Sequence, residues 1–113
     1  RAMQLAAATA LEAEADWYEG NNENYRNRRH LAGEIMKTLG CTYDEKQVGM
    51  FLWGKIPASC KDVEELTEKV LHEARVFITP GFIFGSNGAR YIRISLCCKD
   101  NKLAEALERI KRI

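Results

Sequence analysis

A proline followed directly by a glycine divides the stretch Val76–Leu96, VFITPGFIFGSNGARYIRISL, into two extended runs. The first run, Val76–Thr79, is β-branched and aromatic. It is expected to end as a strand at Pro80-Gly81, because Pro80 has no backbone N–H and Gly81 tolerates positive φ. The loop Phe82–Arg90 adds three turn-forming positions, Gly85, Asn87 and Gly88. Tyr91–Leu96 then alternates, with Ile92, Ile94 and Leu96 on one side and Tyr91, Arg93 and Ser95 on the other. An arginine thus stands in mid-strand, opposite the aliphatic set. One explanation is a solvated second face, common in antiparallel sheets. The other is a guanidinium fixed on a rigid strand as a planar, bidentate fork for a carboxylate or phosphate. Alternation leaves both open.

The remaining elements follow from periodicity. Residues 2–19 read as an alanine- and glutamate-rich helix with a narrow stripe at Leu5, Ala8 and Leu11, broken at Gly20-Asn21-Asn22. A second helix spans Glu23–Leu39 with Tyr25, Arg28 or Arg29, Ala32, Met36 and Leu39 along one side. Asn21 or Asn22 is its expected N-cap and Gly40 its left-handed C-cap. Val48–Ile56, VGMFLWGKI, is a strand ended by Pro57. Both its faces are apolar, which predicts a place inside the sheet or against another body, with Phe51 and Trp53 in the core.

Ser59 opens a loose capping box with Asp62, and Asp62–Ala74 is a helix with Val63, Leu66, Val70, Leu71 and Ala74 facing inward. A last helix follows Asp100 or Asn101, burying Leu103, Ala106, Leu107 and Ile110, with basic residues in its final turn as the helix dipole favours. The order is α-α-β-α-β-β-α. It predicts an α+β, two-layer sandwich in which helices cover one face of a small, mainly antiparallel three-stranded sheet, as one domain over residues 1–113.

Composition narrows the function classes. The net charge is +1 with 29% charged residues, so no whole-chain field favours nucleic acid or an anionic membrane. No apolar run approaches the ~20 residues of a membrane span. The start, Arg1–Ala10, runs straight into Glu12, Glu14 and Asp16, which argues against a signal peptide. A first residue other than Met fits a trimmed chain. The four cysteines, Cys41, Cys60, Cys97 and Cys98, lack C-x-x-C spacing. Cys97 and Cys98 would project to opposite sides if the strand continued. Free thiols in a reducing cytoplasm and no metal site are expected.

Pro80-Gly81, Phe84-Gly85, the Gly88 turn and Tyr91-Ile92-Arg93-Ile94-Ser95 resemble the C-terminal small domain of the class I/II aminotransferases, the fold-type-I pyridoxal-phosphate enzymes of the aspartate aminotransferase superfamily. Three other segments are similar to the same domain. Gln4–Leu11, with Ala6, Ala7 and Ala10, resembles the segment that leaves the family's large domain. Tyr25, Arg28 and Arg29 ahead of Leu39-Gly40 resemble the helix that opens the small domain. Gly49, Phe51, Leu52 and Trp53 resemble the strand whose aromatic end approaches the cleft.

The resemblance implies that Arg93 binds the α-carboxylate of an amino-acid substrate. Arg90 does not match and is expected to be a surface charge. It further implies a full-length, homodimeric enzyme that moves an amino group between an amino acid and a 2-oxo acid with pyridoxal 5'-phosphate as cofactor. The large domain would lie outside this chain, with residues 1–20 the helix leaving it. The Schiff-base lysine belongs to a Ser-x-x-Lys motif in that family, and no such motif is present; Lys55, Lys61 and Lys69 stand in other contexts. The chain alone is therefore expected to be inactive, with no catalytic or cofactor-binding residue and with Arg93 as its substrate-binding residue. Two alternatives have other signatures: a small-molecule-sensing regulatory domain built on the Gly81–Gly88 loop, and a nucleic-acid module built on Tyr25–His30, where aromatic and basic residues interleave.

Overall fold

Helices lie across one face of a three-stranded antiparallel sheet in the computed structural model, which describes every residue from Arg1 to Ile113. The elements are α1 (Ala2–Leu11), α2 (Ala15–Thr38), β1 (Phe51–Lys55), α3 (Val63–Ala74), β2 (Thr79–Pro80), β3 (Tyr91–Ser95) and α4 (Asp100–Lys111). Between β2 and β3 the chain makes two 3-10 turns, Gly81–Phe84 and Ser86–Gly88. The α+β, two-layer arrangement and the order of elements agree with the periodicity of the sequence.

Strand β3 is central, with β1 on one side and β2 on the other. Its register with β1 sets Leu52 opposite Ile94 and Trp53 opposite Arg93, and β2 sets Thr79 opposite Arg93 as well. Directly opposed residues share a face. Leu52, Ile92, Ile94 and Leu96 are buried on the helix side, against Ala32, Ile35 and Met36 of α2, Val63, Leu66, Val70 and Ala74 of α3, and Leu103, Leu107 and Ile110 of α4. Phe51, Trp53, Tyr91 and Arg93 lie on the other face and are half-buried.

Several local expectations give way. The first helix ends at Leu11, and α2 begins at Ala15 and passes through Gly20-Asn21-Asn22 without a break. Poor helix formers cost only about 0.5–1 kcal/mol each, and a helix anchored by a packed C-terminal half absorbs that. The chain turns instead at residues 12–14, where the Glu12 and Ala13 N–H groups donate to the Thr9 and Ala10 carbonyls and Tyr18 Oη donates to the Ala10 carbonyl. The N-cap of α2 is accordingly Glu14, not Asn21 or Asn22. Gly40, at φ +77°, does occupy the left-handed position after that helix.

The cap of α3 is Asp62 itself, whose carboxylate accepts from the Glu65 N–H at 2.8 Å. Ser59 takes no part. The run Val76–Ile78 is not extended into the ladder. The second strand is only Thr79–Pro80, and it includes the proline expected to stop it. An edge strand tolerates proline, because its missing N–H faces away from the neighbour. Strand β1 is also an edge, not an interior strand. Its open side is closed by Gln47, whose side chain exchanges two 3.0 Å bonds with the Trp53 backbone, and by Thr42, which pairs with Lys55. That covers groups that would otherwise invite another strand.

Candidate functional site

Arg93 stands at the middle of the central strand, on the face away from the helices. Its guanidinium carbon lies 4.1 Å from the Phe51 ring centroid and 4.2 Å from that of Phe84. Phe84 in turn meets Trp53 edge-to-face, with centroids 5.7 Å apart and planes at 73°. A cation over an aromatic face is attracted by the ring quadrupole, worth about 0.5–2 kcal/mol. No carboxylate forms a salt bridge with Arg93, and its side chain donates no hydrogen bond within the chain. A fixed strand position, two ring contacts and unused donors occur together at this one arginine.

The loop that supplies Phe84 is held by backbone against backbone. A Cβ on Gly81 would sit 2.4 Å from the Gly88 carbonyl oxygen, and one on Gly88 would sit 2.2 Å from the Gly81 oxygen. Close approach, rather than positive φ, is what Gly81 provides, since its φ is not positive. An open depression beside this contact is lined by Trp53, Phe84, Asn87 and Tyr91.

Four of the other arginines, Arg26, Arg28, Arg29 and Arg90, are spent internally. Arg90, expected to be a free surface charge, donates to the carbonyls of Pro57 and Cys60 at 2.9 Å each and of Lys61 at 3.0 Å. Arg28 bonds Asp100 at 2.8 Å and the Leu96 carbonyl at 3.1 Å, and it lies over the Tyr25 ring. The Asp100 hydrogen bond holds its pKa above the ordinary arginine range. Arg29 donates to the Gly49 carbonyl at 3.0 Å, and Arg26 pairs with Glu23. Three of the basic residues in Tyr25–His30 are therefore engaged in contacts within the chain. Their roles were hidden because the partners lie up to 72 positions away.

The cysteines are all free. Cys41 is buried and Cys97 and Cys98 are exposed. Strand β3 ends at Ser95, so the last pair lies beyond the sheet, where strand alternation no longer applies. No group of three or more His, Cys, Asp or Glu side chains is placed to hold a metal ion. The sheet face around Arg93 carries one lysine, Lys55 opposite Tyr91, and no aspartate or glutamate. That donor set does not fit pyridoxal phosphate, which needs an acidic partner for its ring nitrogen as well as an amine. No helix is long and apolar enough to cross a membrane.

Comparison with known proteins bears on this arrangement. The family model "Aminotransferase class I and II" matches residues 1–110. The chain is 36% identical over 109 residues to an LL-diaminopimelate aminotransferase of Desulforudis audaxviator, covering 96% of this chain and 28% of that one. It is 31% identical to transaminase BacF of Bacillus subtilis, covering 98% and 28% respectively. Among solved structures, an aromatic aminotransferase from Pyrococcus horikoshii superposes with a TM-score of 0.79 at 33% identity, over 96% of this chain and 30% of that one. The apo structure of BacF superposes with a TM-score of 0.75 at 32% identity. The chain spans less than a third of the length of the relatives it matches.

Proposed function

The chain belongs to the class I and II aminotransferases, and from that premise we propose that it is the C-terminal small domain of a pyridoxal-phosphate enzyme, in which Arg93 binds the α-carboxylate of the amino-acid substrate. The full-length enzyme would move an amino group between an amino acid and a 2-oxo acid, as a homodimer in the cytoplasm. When bound, pyridoxal phosphate supplies the electron sink for that chemistry. The donor set around Arg93 favours a cofactor held by the part of the protein outside this chain, so the chain alone would be inactive. Residues 1–20 would run from that part into the fold described above.

The observation that carries the reading is a guanidinium on the central strand whose N–H donors have no acid within the chain. A carboxylate accepts two parallel bonds from such a fork, which fixes both its distance and its plane. The work done at Arg93 is binding and orientation: it would fix the substrate's acid group and so set where the α-carbon stands.

Arg93→Ala or Arg93→Lys in the full-length enzyme should lower kcat/KM for amino-acid substrates by about 2–5 kcal/mol, the scale for one partner of a desolvated charged pair. Steady-state kinetics on the purified variants check this. A kcat/KM within threefold of the parent would remove Arg93 from the site.

A further inference from the structure

Arg93 lies over two aromatic rings that come from different parts of the chain, and we propose that Phe51 and Phe84 are positioning residues: they hold its guanidinium in one orientation so that its N–H edge meets the ligand's acid group. This deepens the reading of Arg93 as the carboxylate-binding residue and rests on it.

The guanidinium has two ring contacts, with its central carbon 4.1 Å from the Phe51 centroid and 4.2 Å from that of Phe84. Hydrogen bonds can leave only through the edge, which is where a planar carboxylate finds paired donors. The two jaws differ in construction. Phe51 is built into β1, opposite Ser95 and thus diagonal to Arg93 in the ladder. Phe84 ends the 3-10 turn Gly81–Phe84, with Trp53 against it and the Gly81–Gly88 backbone contact closing the loop beneath.

An arginine side chain is long and loses much rotamer freedom when a ligand fixes it. One already held in a slot loses less, and the difference goes into affinity. The rings also exclude water from the faces of the cation, which strengthens its interaction with an anion at the edge.

The test uses the full-length enzyme and two readouts. One is the dissociation constant of 3-phenylpropionate, a carboxylate with no amino group to transfer, by calorimetry. The other is kcat and KM for an amino-acid substrate. Phe84→Leu and Phe51→Leu keep apolar bulk but remove the flat face, and each should weaken 3-phenylpropionate binding and raise KM about tenfold, with kcat within threefold. Phe84→Tyr, which keeps the face, should stay within twofold. In an Arg93→Ala background, Phe84→Leu should change kcat/KM less than twofold, because the group it positions is gone.

Phe84 is half exposed on its loop, so its replacement leaves the core intact; if the leucine variant nevertheless melts early, Phe84→Met takes its place. Unchanged affinity in the leucine variants, or losses that simply add in the double variant, would overturn the positioning role while leaving Arg93 in place. An Arg93→Ala enzyme with parental kcat/KM would instead overturn the carboxylate reading itself.

Discussion

A guanidinium against two rings and a thiol shut inside a core show how one residue's surroundings decide its chemistry. Cys41 is buried under α2 and β1, and burial, with Cys60 nearby adding to it, pushes its thiol from 9.0 up to about 11. The folded state therefore keeps the proton to higher pH than the unfolded chain does. The stability this contributes is fully present below pH 9.0 and is lost as pH rises toward about 11. Urea titrations between pH 8 and 11 should show that decline, and Cys41→Ser should flatten it. With a disulfide reagent at pH 8, exposed Cys97 and Cys98 should react first and Cys41 only on unfolding. At this scale the sequence was informative about type but not about company. Arg93 stood out because an arginine interrupts an alternating strand. Arg90 looked like an ordinary surface charge, and nothing near Arg28 in sequence named its partner, because their carbonyl and carboxylate partners are brought near only by the fold.

Among the elements, periodicity identified what has a strong apolar stripe and misplaced what does not. Helices α3 and α4 bury most of the stripes their spacing predicts, Val63, Leu66, Val70 and Ala74 in one and Leu103, Leu107 and Ile110 in the other, while Leu71 and Ala106 are only half-buried. The junction of α1 and α2 was illegible because α1 has no buried side chain to mark its face. Nor could alternation alone say that β1 is an edge whose partner on one side is the side chain of Gln47. Two glycines make the point testable. A Cβ at Gly20, inside α2, meets nothing within 4 Å, so Gly20→Ala should stabilise the protein by about 0.5–1 kcal/mol. At Gly81 the same change drives a Cβ into the Gly88 carbonyl, so Gly81→Ala should destabilise by about 1–3 kcal/mol. Denaturant melts of the two variants should move in opposite directions.

Taken whole, the molecule is a sandwich with an appendage. Its extents are 48 × 30 × 24 Å, and all the buried residues lie in the body formed by the sheet, α3, α4 and the second half of α2. α1 contributes none, and Met3, Leu5 and Leu11 along it are exposed. Helices shorter than about 12–15 residues are marginal in water without packing, and α1 has 10. Amide exchange should therefore be fast over residues 2–11 in this chain alone; on the proposal that residues 1–20 run from a large domain it should be slow in the full-length enzyme, while β3 is protected in both. Slow exchange in the chain alone would mean that α1 has found a seat of its own. Those ten residues would consequently serve as a gauge: the time their amide protons take to trade with deuterium would read out, residue by residue, how firmly the proposed large domain grips them.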